Sequence, residues 1–297
     1  MLKFAQDAAL SELLSGSVDA IPQANSASLP KLAGDPRFRV YNSIVGAASG
    51  VIFWNLDHPL FRDVRVRRAL TLAIDRDVLR QAVNLGPEIP IVDGPFLRDQ
   101  LRRGDVPEPL PYDPEQARAL LEEAGWHDRS GDGVREREGR PFRFTASVIS
   151  LHPVWEMAVY VQDRLRRIGV EMNIQRMENA NVRALVKSGH FEAAFSVLEN
   201  GVPWLRQHFG SPFPTGYRNG ELVRLLDQAS ASADPAVEEH VLRRIAEIFR
   251  ADIPATFLIP GVWTIIAHKR IHGLSSPWWA DPVEHMEDLW LEDRSDR

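Results

Sequence analysis

The residues whose types and spacing come nearest to a chemical device are Asp128-Arg129-Ser130-Gly131-Asp132-Gly133. Oxygen ligands stand at the first, third and fifth places and glycine at the sixth, as in a calcium-binding loop. The twelfth place is Gly139, where such a loop needs a bidentate glutamate, and Glu138 falls one residue early. Asp-Gly followed by alternating residues also makes hairpin turns, and a turn is the reading the spacing favours. The nine histidines are scattered singly, with no pair four apart in a helical stretch, and there is no cysteine to act as thiolate ligand or nucleophile. Neither a Gly-x-Ser-x-Gly elbow nor a phosphate-binding Walker loop occurs, and no helix start follows Gly46 or Gly50. A hydrolase would need a carboxylate pair such as Glu199 with Glu192 or Asp227, and sequence sets no separation between them. The expectation is a protein without catalytic residues, metal or cofactor. Of eight tryptophans, most read more simply as core or lobe packing, and Trp54 and Trp204, at strand or loop ends, are the two favoured to face a ligand.

The bulk numbers agree with a non-catalytic globular chain. It has 297 residues, 44% hydrophobic and 26% charged, enough to bury one large or two medium cores. No apolar run is long enough to span a bilayer. The net charge of -6 gives no general attraction to phosphate, so nucleic acid is not an expected partner. Arg164, Arg166 and Arg167 form a local basic cluster that suits a solvated helix face. The first residues, Met1 to Leu14, are interrupted by Gln6, Asp7 and Glu12 and lack the apolar core of a signal peptide.

The elements that would position any site follow from periodicity. After Asp63, the residues Val66, Ala69, Leu70, Ala73 and Ile74 make one apolar helical stripe opposite Arg65, Arg67 and Arg68. Asp75 and Asp77 read as the cap of a second helix. Asp113-Pro114-Glu115-Gln116 is a strong helix start, with Ala117, Leu120, Leu121 and Ala124 buried and Gly125 as the stop. Phe142, Phe144, Ala146 and Val148 alternate as a strand, and a helix follows Pro153 through Val154, Met157, Ala158, Val161, Leu165 and Ile168. Gly169 ends that helix, and Val170, Met172 and Ile174 alternate as a second strand, giving a βαβ unit with parallel strands. A helix capped by Asn179 or Asn181 and ended by Gly189 leads to a third strand over 191–198. Helices over 220–230 and 235–250 and a strand after Pro254 complete an α/β fold.

Several segments together resemble one family, the extracellular solute-binding proteins of family 5, which serve ABC importers of peptides, dipeptides and nickel. The resemblance rests on Phe53-Trp54-Asn55, on Pro59-Leu60-Phe61-Arg62-Asp63-Val64-Arg65-Val66-Arg67-Arg68-Ala69-Leu70 and on Ala73-Ile74-Asp75-Arg76. It continues through Tyr112-Asp113-Pro114, Ala124-Gly125-Trp126, Asp132-Gly133-Val134 and Ile168-Gly169-Val170. It implies a periplasmic-binding-protein-like type II fold of two α/β lobes closing on a ligand. In that arrangement 1–55 is a remnant of lobe I, 56–258 is lobe II and 259–297 returns to lobe I. The family's long N-terminal segment has no counterpart here, so the chain resembles the C-terminal portion of a member.

The resemblance further implies a peptide or similar small solute as ligand, an ABC permease as membrane partner and a periplasmic or extracytoplasmic location. The family's acidic residue after the third strand, which pairs with the ligand's amino group, corresponds to Glu199, beside Asn200 and Gly201. Dipeptide binders place an arginine after the first strand, whereas this chain has Ile149-Ser150-Leu151-His152 there. A dipeptide is therefore not the expected ligand, and Ser150 and His152 are the polar groups that stretch offers. With Trp54, Asn55 and Trp204 these make up the expected ligand-binding set. The alternative expectation is an interaction fragment that binds no solute and forms a homodimer through the exposed face of the lobe.

Overall fold

In the computed structural model, which describes residues 6–24, 32, 35–96, 108–197, 201–210, 214–231, 235–274 and 289–292, the chain opens with α1 (Gln6–Ser15), β1 (Ala20–Ala24) and β2 (Phe38–Trp54). It continues through α2 (Val64–Leu72), α3 (Arg76–Ala82) and α4 (Pro114–Glu123). The short strands β3 (Glu136–Arg137) and β4 (Arg140–Pro141) precede β5 (Arg143–Ile149), α5 (Val154–Arg166), β6 (Glu171–Met177), α6 (Asn179–Ser188) and β7 (Ala193–Ser196). The remainder is α7 (Val202–Phe209), α8 (Gly220–Ala231), α9 (Pro235–Asp252), β8 (Ala255–His268), β9 (Ile271–His272) and β10 (Trp290–Leu291). Two compact units divide the chain: unit 1 takes Met1–Val45, Gln81–Ile89 and Gly261–Arg297, and unit 2 takes Gly46–Arg80 and Pro90–Pro260.

Unit 2 is built on the βαβ unit that periodicity predicts. β5 and β6 pair in parallel from Arg143↔Glu171 to Ile149↔Met177, and β7 pairs in parallel with the other side of β5, from Ala146↔Ala193 to Val148↔Phe195. The last residues of β2 run antiparallel to β7, with Val51 opposite Ser196 and Trp54 opposite Ala193. Phe142, Phe144, Ala146 and Val148 are buried, as are Met157, Ala158, Val161 and Leu165 of α5, so the two periodicities meet in one core. Aromatic rings fill it: Trp54 lies 5.0 Å from Phe61, and Phe61 stands edge-on to Phe144 at 5.2 Å.

The helix starts follow local chemistry. Asp63 accepts from the Arg65 amide at the head of α2, and Asp113 accepts from the Gln116 amide at 2.9 Å at the head of α4. Asp75 accepts from the Val78 amide at 3.0 Å ahead of α3. Gly169 takes φ +82 where α5 turns into β6, a left-handed conformation that glycine adopts without strain.

Two expectations are corrected. Arg67 is not on the solvent side of α2. It is 4% exposed and donates to the carbonyls of Phe61 at 2.6 Å, Arg62 at 2.9 Å, Ile253 at 2.8 Å and Asp252. Asn179 and Asn181 do not cap α6, because Glu178 holds the extended cap position and supplies no side-chain bond. The Asp128 loop is a turn, as its spacing favours, and it joins the antiparallel bridge between His127 and Glu136. Asp128 accepts from the amides of Gly131 and Gly133 at 2.8 and 3.0 Å and Asp132 from Val134 at 2.9 Å, while Glu138 and Gly139 (φ +56 and +72) join β3 to β4. The carboxylates that a cation would require are thus engaged with their own loop's amides.

Unit 1 gathers Ala9, Leu10 and Leu13 of α1 with Ile21, Leu32, Phe38 and Ile266 in a small core. There β1 pairs antiparallel with β8, Ile21 opposite Ile266. Arg270 donates to the Asp19 carboxylate at 2.8 Å across a span of 251 residues, pinning the two ends of this unit's described chain together.

Candidate functional site

Parallel strands bring their carboxyl ends to one edge of a sheet, and in α/β folds that edge is where ligands bind. Here β6, β5 and β7 end together at Met177, Ile149 and Ser196, and α6, α5 and α7 begin just beyond them. Helix N-termini concentrated at one edge give it a partial positive potential.

On the β5–β6 side, the Ser150 amide continues the ladder by donating to the Met177 carbonyl at 2.8 Å. The Ser150 hydroxyl accepts from Arg176 Nε at 3.0 Å, and the Arg176 guanidinium lies 4.9 Å over the Trp155 ring. His152 Nδ1 faces Glu156 at 3.1 Å on the first turn of α5. The arginine that the resemblance places after the first strand is absent from β5. A guanidinium nevertheless stands beside Ser150, supplied by the neighbouring strand, because the parallel register sets Arg176 opposite Val148.

On the β7 side, Gly201 takes φ +93 and begins α7. One turn on, Trp204 stacks on His208 at 4.0 Å between ring centres, and Phe53 stacks on His208 at 5.0 Å. His208 Nδ1 lies 3.0 Å from the Trp204 carbonyl, which orients the imidazole. Between α6 and α7, against the end of β7, is a hollow of about 530 Å³. Its walls include Arg183, Lys187, Val197, Trp204, Arg206 and His208.

The expected ligand-binding residues therefore divide. Trp204 lines the hollow, with Gly201 at the head of its helix, and Ser150 and His152 lie at the same sheet edge. Trp54 and Asn55 do not. Because β2 is antiparallel to β7, Trp54 meets the first residue of β7 and lies at the opposite, amino edge. Its ring is fully buried and its indole N–H donates to the Thr256 hydroxyl at 3.0 Å. Asn55 donates to the carbonyls of Gly189 and Phe191 at 3.1 and 2.6 Å and accepts from the Asp57 amide, so it ties two turns together. Glu199 and Asn200 lie outside the described residues. Of the other carboxylates considered for chemistry, Glu192 accepts from the Thr145 amide near the amino edge and faces His58, and Asp227 pairs with Arg206.

The fold and this sheet edge define an α/β protein of the periplasmic-binding-protein-like type II class. The structure superposes on NikA from Brucella suis, solved with Fe(III)-EDTA, with a TM-score of 0.82 at 18% identity, covering 97% of this chain and 60% of that one. The chain belongs to the bacterial extracellular solute-binding proteins of family 5, whose model, "Bacterial extracellular solute-binding proteins, family 5 Middle", matches residues 2–213. It is 27% identical over 266 residues to the oligopeptide-binding protein AppA of Bacillus subtilis, covering 80% of this chain and 49% of that protein. It is 30% identical over 140 residues to the nickel-binding periplasmic protein of Escherichia coli, covering 45% and 25%. The chain spans about half the length of AppA and of the heme-binding protein A of Haemophilus influenzae, which it also resembles.

Proposed function

We propose that this chain captures a peptide or similar small solute outside the cytoplasm and presents it to an ABC permease, without covalent chemistry. The observation that carries the reading is the hollow between α6 and α7, which touches the carboxyl end of β7, in a chain that belongs to a solute-binding family. The names of the relatives bring peptides, nickel and heme into consideration as cargo. Peptide is favoured over bare metal, because among the described residues no group of three or more His, Asp or Glu side chains could hold an ion.

The test is a thermal-shift panel of the purified chain against di-, tri- and oligopeptides, sugars, heme and nickel. A ligand that binds only the native state raises the melting temperature; about 100 Kd of it adds about 2.7 kcal/mol. A peptide that does so, and loses the effect when Trp204 is replaced by Ala, supports the reading. A cooperative melt that no solute moves would count against it.

A further inference from the structure

We propose that the hollow between α6 and α7 selects solutes carrying an anionic group on an apolar body. This rests on the solute-capture reading and names the class of solute. About 530 Å³ is within the range of sites that enclose small molecules, roughly 300–1,000 Å³. Its walls are of two kinds. Val186, Val197, Pro203, Trp204 and Pro214 supply apolar surface, and Arg183, Lys187 and Arg206 supply positive charge. No Asp or Glu occurs among the described residues that line it.

Two of the cations are close neighbours on one helix. Arg183 and Lys187 are four residues apart on α6 and so share one helix face, where like charges repel. In the wall of a concavity, the same repulsion becomes attraction for an anion, and low-dielectric walls focus the field inward. Arg206 is held by the Asp227 carboxylate of α8, which partly offsets its charge, so the selection depends most on Arg183 and Lys187 of α6. The N-terminal turn of α7, carrying Pro203 and Trp204, adds the positive end of a helix dipole to the same space. The apolar wall is rigid: Trp204 is 6% exposed, stacked on His208, and followed by the buried Leu205 and Phe209. A rigid apolar wall beside the exposed cations Arg183 and Lys187 suits a carboxylate attached to a hydrocarbon body better than a hydrated inorganic ion.

The test is equilibrium dialysis of the purified chain against two matched pools, N-acetyl amino acids as free acids and the same compounds as C-terminal amides, read by mass spectrometry. The free acids are expected to be retained about tenfold or more over the amides, since an amide leaves the cations without a charged partner. Retention should fall several-fold between about 50 mM and about 500 mM salt. Lys187→Gln should weaken the retained acids several-fold while leaving the melting temperature of the free protein unchanged. Equal retention of amides, or an acid affinity that Lys187→Gln does not alter, would overturn the proposal, as would failure of a cooperatively melting protein to retain either pool. If neutral or cationic solutes shift the melt in the wider panel while the acids are not retained, only the anion selection fails. If no solute of any class binds, solute capture itself fails.

Discussion

Arg67 shows how much a single side chain can decide. Burial pushes its guanidinium down to about 10, so it stays charged at neutral pH, and it collects the carbonyls of Phe61, Arg62, Asp252 and Ile253. Ile253 takes φ +46, an uncommon conformation for a β-branched residue, and the bond from Arg67 to its carbonyl helps hold it. Arg67→Met should cost about 3 kcal/mol or more, because several buried acceptors lose their donor together; urea denaturation measures this, and a loss below about 1 kcal/mol would refute the clamp. The neighbouring Tyr217 donates to Asp252 at 2.6 Å, and burial, followed by that bond, raises its pKa well above the ordinary phenol value. A raised folded pKa means that this contribution is fully present below about pH 10 and is lost as pH rises through the folded value. Tyr217→Phe should therefore flatten the alkaline fall of stability, seen as melting temperature against pH from 8 to 12. Sequence alone placed Arg67 on the solvated side because it sits opposite the stripe of Val66, Ala69 and Leu70. Its acceptors at Asp252 and Ile253 lie 185 and 186 residues away, and no local pattern announces such partners. Trp54 was misread for a related reason: whether a strand-end ring faces ligand or core depends on the direction of the strand beside it.

At the scale of elements, what was legible was periodic and what was not was short or made of small residues. The βαβ unit could be read because α5 keeps its apolar spacing until Gly169 and β5 alternates cleanly. Gly169 is where this can be tested. A Cβ there would lie 2.7 Å from Arg135 Cγ, on a backbone with φ +82, so Gly169→Ala should cost about 1–3 kcal/mol from the strained backbone alone. Asp113→Ala at the head of α4 should cost about 1 kcal/mol; thermal or urea melts of both variants would check the order, and a glycine variant milder than the cap variant would contradict it. β2 went unread because Gly46-Ala47-Ala48-Ser49-Gly50 interrupts its apolar residues and lowers strand propensity. α7 also went unread, since it is only eight residues long, although Gly201-Val202-Pro203 is a start signal that could have revealed it. That omission matters for function, because α7 forms one wall of the hollow. Trp204 was picked out from sequence, but the cations facing it on α6 became neighbours only once the strand between them was placed.

For the molecule as a whole, net charge is a poor guide to what it binds. A total of -6 argues against nucleic acid, and the basic cluster on α5 agrees, since Arg164, Arg166 and Arg167 all pair with Asp163. The same total gives no hint of a hollow lined with cations and no described acid. Domain organisation is also hidden, because the chain crosses between the two units near residues 45, 80, 89 and 260, so neither unit is one continuous stretch of sequence. Unit 2 depends on a segment remote from its main body: Val51–Trp54 pair with β7, and Phe53 packs beside Trp204 and His208. A fragment spanning 46–260 holds every residue of unit 2 and should melt cooperatively by circular dichroism. A fragment spanning 90–260 lacks the strand beside β7 and also Arg67, the donor to Asp252 and Ile253. Its β7 edge and the ring of Trp204 would be exposed to water, so it should show a shallow, uncooperative melt and a tendency to associate. If 90–260 melted as sharply as 46–260, the β2 segment would be dispensable to unit 2, and the wall it gives the hollow through Phe53 and His208 would have to be supplied otherwise.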